Sequence, residues 1–154
     1  MREDLVTPAT ARRLESAGIA WQPQVSDWCV VLGGVHNDES FAGLWLVMAV
    51  TGDGATLGLV DAAGQWPASR VTARDCLWLP TAGKLKTWLR ARGYRVATGD
   101  LPPRPFSGSH TGIEVACRIT RVGAASPEHE TLGANEAEAV AAAALAVLGA
   151  QGVA

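Results

Sequence analysis

The sequence predicts a mixed α+β protein in which a predominantly antiparallel sheet packs against two or three helices. Three observations carry that expectation. Short β-rich runs recur at close spacing, "WCVVLGG" at 28–34, "LWLVMAVTG" at 44–52, "TLGLVDAAG" at 56–64 and "DCLWLP" at 75–80, which is the pattern of a meander. Three other segments carry helix start and stop signals. Finally, "GIEVACRITRV" at 112–122 alternates: Ile113, Val115, Cys117 and Ile119 share one face and Glu114, Arg118 and Thr120 the other, so one side is buried and one wet.

The first helix starts at Thr7 as N-cap with Pro8 at the first helical position, turns Leu14 and Ala17 inward, and stops before Gly18. Between the second and third strand runs, Asp53-Gly54 is a hairpin signal. The second helix follows from "LPTAGKLKTWLRARGY", with Thr81 as cap, Leu85, Trp88 and Leu89 as its apolar stripe and Gly93 as its end. A strand "YRVATG", a proline-rich loop "DLPPRPFSGSH", the alternating strand and a short strand "HETLG" come next. The closing helix, "NEAEAVAAAALAVL", has capping-box spacing between Asn135 and Glu138. Its stripe is Val140, Ala144, Val147 and Leu148, and its alanines allow a close approach to a sheet.

The 154 residues suit one compact domain spanning 1–154, with sub-units at 1–80 (helix plus meander) and 81–150 (α-β-β-β-α). Hydrophobic residues make up 48% and charged residues 18%, which argues against disorder. No run approaches a membrane span and the N-terminus has no apolar signal-peptide core, so a cytoplasmic protein with no membrane partner is expected. The cysteines, Cys29, Cys76 and Cys117, form no CxxC pair and read as buried, inert thiols. Trp28, Trp45, Trp78 and Trp88 lie in apolar runs and read as core, whereas Trp21 and Trp66 sit near prolines and read as partly exposed.

From residue 81 the order helix, strand, strand, strand, helix resembles a double-stranded-RNA-binding domain, with "SGSH" at 107–110 where that family has a Gly-Pro-x-His loop and His110 at the histidine position. The resemblance implies a duplex-RNA contact made by that loop and by lysines at the start of the closing helix. Here Glu136 and Glu138 stand at that start, where carboxylates repel phosphate. The same unit is also similar to a small sandwich domain of uncharacterised phage proteins. The longer stretches "WQPQVSDW" (21–28) and "WLPTAGKL" (78–85) resemble a group of small bacterial proteins with the pattern WxPxxxDW … WLPTxxxL. That pattern usually carries Gly-Asp where this chain has Ser26-Asp27.

Chemistry-bearing arrangements are few. Ser107 or Ser109 with His110 and Asp100 lacks a nucleophile elbow. His36, Asp38 and Glu39, and the Glu128-His129-Glu130 run, lack zinc-ligand spacing and read as solvated turns. No phosphate-binding glycine motif occurs. Neither a catalytic residue, a metal nor a cofactor is assigned. What remains is charge: the net charge is −2, yet seven basic side chains against one acid, Asp75, lie between Arg70 and Arg95. Lys84, Lys86, Arg90, Arg92 and Arg95, with His110, form a candidate basic strip for a phosphate or an acidic partner. The expectation is a non-catalytic interaction or regulatory protein of bacterial or phage-like type whose partner is another protein. The alternative is weak nucleic-acid binding by a degenerate double-stranded-RNA-binding-like domain.

Overall fold

The computed structural model describes residues 5–32, 43–61, 67–101 and 114–152, apart from the side chains of 67–70 and 150–152. The chain is mixed α+β, and its strands form two separate antiparallel sheets of five and three strands. It divides into two compact units, Ile19–Leu79, and Met1–Gly18 together with Pro80–Ala154.

The first of these is a meander. Strands β1 (Trp28–Val31), β2 (Leu44–Val50), β3 (Thr56–Asp61), β4 (Pro67–Thr72) and β5 (Cys76–Trp78) are joined in the order β4-β3-β2-β1-β5. The β2–β3 turn is where the Asp53-Gly54 signal places it. Gly54 has φ 73°, and the Asp53 carboxylate accepts from the Ala55 N–H at 2.9 Å and from the Thr51 hydroxyl. Strand β4 escapes the sequence reading because it opens on Pro67, and proline is tolerated only at the first residue or on the edge of a sheet; β4 is an edge strand. Asp75, expected at the start of a strand, instead ends a 3-10 turn, Ala73–Asp75. The core on one face gathers Cys29, Trp45, Val47, Leu57, Leu59, Val71 and Cys76.

The loop ahead of β1 is clamped by a buried acid. Asp27 is 4% exposed and its carboxylate accepts from the Trp21 indole N–H and the Gln24 amide, each at 2.9 Å. Ser26 has φ 80°, the left-handed region that favours glycine, which supplies a physical reason for a Gly-Asp preference at this place. The Trp21 ring stacks at 5° and 6.3 Å on Trp78, so the two quoted Trp-Pro stretches meet through their tryptophans.

The second unit holds α1 (Pro8–Ser16), α2 (Ala82–Ala91), β6 (Tyr94–Leu101), β7 (Glu114–Arg121), β8 (His129–Gly133) and α3 (Glu136–Gly152), with sheet order β6-β7-β8. Thr7 and Thr81 cap α1 and α2 through their hydroxyls, at 3.2 Å to the Thr10 N–H and 3.1 Å to the Lys84 N–H. Ala11 and Leu14 are the buried side chains of α1; Ala17, expected inward, is the C-cap and exposed. On α2, Ala82, Leu85 and Leu89 are buried, whereas Trp88, expected in the core, is half-exposed with the Arg92 guanidinium 4.1 Å from its ring centroid. Of the four tryptophans expected in the core, Trp45 alone is fully buried; Trp28 and Trp78 are half-buried. Trp66 lies outside the described residues.

Helix α3 packs on β6, β7 and β8 and also on α1 and α2. Ala137, Ala139, Val140, Ala141, Ala143, Ala144 and Val147 are therefore all buried, a wider surface than the expected single stripe, while Leu148 is half-exposed. Small side chains on several sides let one helix serve as the centre of the unit. Helix α1 joins this unit, through α3 and a bridge from Leu5 to Thr81, instead of the meander that follows it in sequence.

Candidate functional site

The polar groups of the helical unit concentrate at the start of α3. Asn135 caps this helix, its side chain accepting from the Glu138 N–H at 2.8 Å. The reciprocal half of a capping box is not formed: the Glu138 carboxylate reaches instead to α1, accepting from the Thr7 N–H at 2.8 Å and the Thr10 hydroxyl at 2.6 Å. Two helix N-termini thus share one acid, and its negative charge faces the positive end of both dipoles. Glu136 accepts from the Lys86 ammonium on α2 and, at 2.9 Å, from the Thr98 hydroxyl on β6. Cys117, fully buried on β7, lies close by; burial pushes its thiol up to about 11.

Lys86 first, and Thr98 second, hold the Glu136 carboxyl below the ordinary glutamate range. Because the folded-state value is depressed, the stabilisation is complete above the unfolded value of about 4.3 and is lost as the pH falls through the folded one. Melting temperature measured from about pH 7 down to about pH 2 is expected to fall in this window, and Glu136→Gln is expected to flatten the acid limb. An unchanged limb in the variant would show that the Lys86–Glu136 pair contributes nothing there.

Placement of the basic strip divides its members. Lys86 is half-buried and paired with Glu136. Lys84 is half-buried. Arg92 lies over Trp88, and Arg95 donates to the Ala124 carbonyl at 3.3 Å. Arg90 is exposed on α2. His110, like Ser107, Ser109, His36, Asp38 and Glu39, lies outside the described residues, and so does the Arg70 side chain.

No known protein family, curated protein or solved structure matches this chain. Its chemistry is therefore read from the side chains alone. Among the described residues no three His, Cys, Asp or Glu side chains converge to hold a metal, and no helix is long and apolar enough to cross a membrane.

The Glu128-His129-Glu130 run, which reads as a solvated turn, is split by strand β8. Glu128 accepts from the Tyr94 hydroxyl at 2.5 Å and from Arg121 at 3.2 Å, and the two partners, Tyr94 first, hold its carboxyl below the usual range. Glu130 pairs with Arg118 at 3.3 Å. His129 and Glu130 sit opposite Ile119 and Arg118, on opposite faces of the sheet.

Register and burial define those two faces. Val115, Cys117 and Ile119 on β7 are buried on the side where Thr98 meets α3, and Thr131 donates to the Ala139 carbonyl from the same side at 2.8 Å. The other face presents Arg95, Ala97 and Gly99 from β6, Ala116, Arg118 and Thr120 from β7, and Glu130 and Leu132 from β8. Arg95, Ala97, Gly99, Arg118, Glu130 and Leu132 are all exposed. Alternation in "GIEVACRITRV" announces that this face is wet, but Ala97, Gly99 and Leu132 join it only through pairing, which no local pattern in their own strands declares.

Proposed function

We propose that this protein works by binding another protein and not by turnover, and that its working surface is the open face of the β6–β7–β8 sheet. The observation that carries this reading is the composition of that face. Alanine and glycine are poor strand formers on a solvated surface, yet Ala97 and Gly99 lie exposed on this face, next to the buried Ala116, with Leu132 exposed at its edge and charges of both signs, Arg95, Arg118 and Glu130, around it. Apolar centre and mixed polar rim are the ordinary anatomy of a protein interface. The polar groups on the opposite side, Thr98 and Thr131, are engaged in holding helix α3.

Ala97→Lys combined with Leu132→Lys tests this. Both sites are exposed, so stability is expected to change by no more than about 0.5 kcal/mol, whereas a protein retained by the wild type in affinity capture from its native cells is expected to be lost. Equal retention by the folded variant overturns the assignment of this face.

A second reading, weak nucleic-acid binding, is favoured by the α-β-β-β-α order and by Arg92 over the half-exposed Trp88, with Arg90 exposed on the same helix. Against it stand the acids at the start of α3, one of which neutralises Lys86. If α2 held phosphates, Arg90→Glu with Arg92→Glu would weaken binding of duplex RNA and flatten its salt dependence. Absence of wild-type binding at low salt removes this reading.

A further inference from the structure

On the reading that the open face of the β6–β7–β8 sheet is the working surface, we infer that its partner is a second copy of this chain. The two copies dock face to face about a two-fold axis that runs parallel to the strands, between β7 and β8. Such an axis lays β7 of each copy over β8 of the other. Every β7 side chain on the face then meets the same residue type that it neighbours across its own ladder. An isologous contact of this kind forms only where each β7 residue complements its β8 neighbour. Ala116 is opposite Leu132 and Arg118 is opposite Glu130, and both rows meet that condition.

The first row is complementary in size. Leu132 is 45% exposed, whereas Ala116 beside it is 7% exposed and its side chain ends at Cβ. Exchange about the axis sets each Leu132 on the partner's Ala116 and brings the two leucines side by side, at the roughly 10 Å spacing of stacked sheets. The second row is complementary in charge. Arg118 Nε lies 3.3 Å from a Glu130 carboxylate oxygen, and 58% and 54% of the two side chains remain exposed. A guanidinium has more donors, and a carboxylate more acceptor sites, than one contact uses. The same groups therefore also meet the partner's Glu130 and the partner's Arg118, and positive and negative charges alternate around the axis. Ala97 and Gly99, exposed on β6, are too short to obstruct the partner's edge strand. An unrelated surface can match one row, but the exchange of both rows by one axis is a property of this face with itself.

Sedimentation equilibrium of the purified full-length chain from about 10 μM to about 1 mM, the range suited to a small interface, is expected to show the mass rising from one chain towards two. Glu130→Arg sets like charges against the partner's Arg118, and Arg118→Glu sets them against the partner's Glu130. Each variant alone is expected to self-associate at least about tenfold more weakly. Mixed in equal amounts, the two variants are expected to associate again, because each position then faces the opposite charge across the axis. The like-charged pair inside each chain is the same in the mixture as alone, so neither misfolding nor a purely internal role of the ion pair produces this recovery. Leu132→Ser, which alters the size match and no charge, is expected to weaken self-association as well. A wild type that stays monomeric over the whole range overturns the proposal, as does association that survives either charge reversal or Leu132→Ser, or that fails to return in the mixture. Failure of the face itself reads differently. If the purified chain is monomeric but the Ala97→Lys, Leu132→Lys variant still loses a captured protein, the second copy is overturned and the face is kept.

Discussion

Replacing Gly133 with alanine is expected to lower stability by more than about 3 kcal/mol, at or beyond the upper end of ordinary overpacking. Gly133 ends strand β8 opposite Val115, and α3 begins three residues later. A Cβ at this position would sit 2.3 Å from the Ala139 nitrogen, 2.7 Å from the Glu138 carbonyl carbon and 2.8 Å from the Ala139 Cα. All three are helix backbone, which cannot swing aside as the end of a flexible side chain can. Nor can the helix retreat as a whole without loosening the Thr131 hydroxyl from the Ala139 carbonyl at 2.8 Å and the packing of Ala139, Val140 and Ala143, all wholly buried. Gly149→Ala is the matching control: a Cβ there meets nothing within 4 Å, and in a helix the exchange is expected to stabilise by about 0.5–1 kcal/mol. Urea unfolding of both variants checks the contrast. A Gly133→Ala protein within about 1 kcal/mol of wild type would show that β8 and α3 do not approach as closely as described.

What the sequence discloses of this fold is governed by how local each cause is. Thr7, Thr81 and Asn135 cap their helices because a hydroxyl or amide two or three residues from an N–H needs no tertiary help. The face of β7 is legible for the same reason, since alternation is a property of one strand. Strand β4 is not, because its opening Pro67 is acceptable only on an edge, and edges are decided by the other strands. Ala11 and not Ala17 joins Leu14 in the core because Ala17 is the C-cap of α1, directly before the left-handed Gly18. The division into two sheets and the Trp21–Trp78 stack both join distant positions, and nothing in the spacing of either partner encodes them. The acidic start of α3 is the instructive intermediate case: that carboxylates suit a helix N-terminus is visible in the sequence, but the identity of their partners is not. Lys86 is apparent as a member of a basic strip and proves to be half-buried against Glu136.

Those partners change the size of the effect expected from replacing Glu136 and Glu138 together with lysine. On the helix dipole alone the exchange costs about 0.3–1 kcal/mol per site. In the folded chain it also deprives Lys86, Thr98, Thr10 and the Thr7 N–H of their shared acceptors, and it sets a second ammonium against Lys86. Partners left without an acceptor cost about 1–3 kcal/mol when buried, less here because water reaches Glu136, whose side chain is 36% exposed. The double variant is therefore expected to lose about 2–3 kcal/mol, read by urea unfolding, with part of the loss restored when Lys86→Glu is added. A loss confined to the dipole range, with no rescue, would mean that these contacts are solvated and carry no stability. The same variant addresses function. If the unit is a double-stranded-RNA-binding domain disabled only by its acids, the folded variant should gain salt-dependent affinity for duplex RNA, since lysines would then occupy the place where such a domain holds phosphate. If the acids serve the architecture, as their hydrogen bonds to α1, α2 and β6 argue, lysines in their place loosen three elements and create no groove, and duplex RNA remains unbound at low salt.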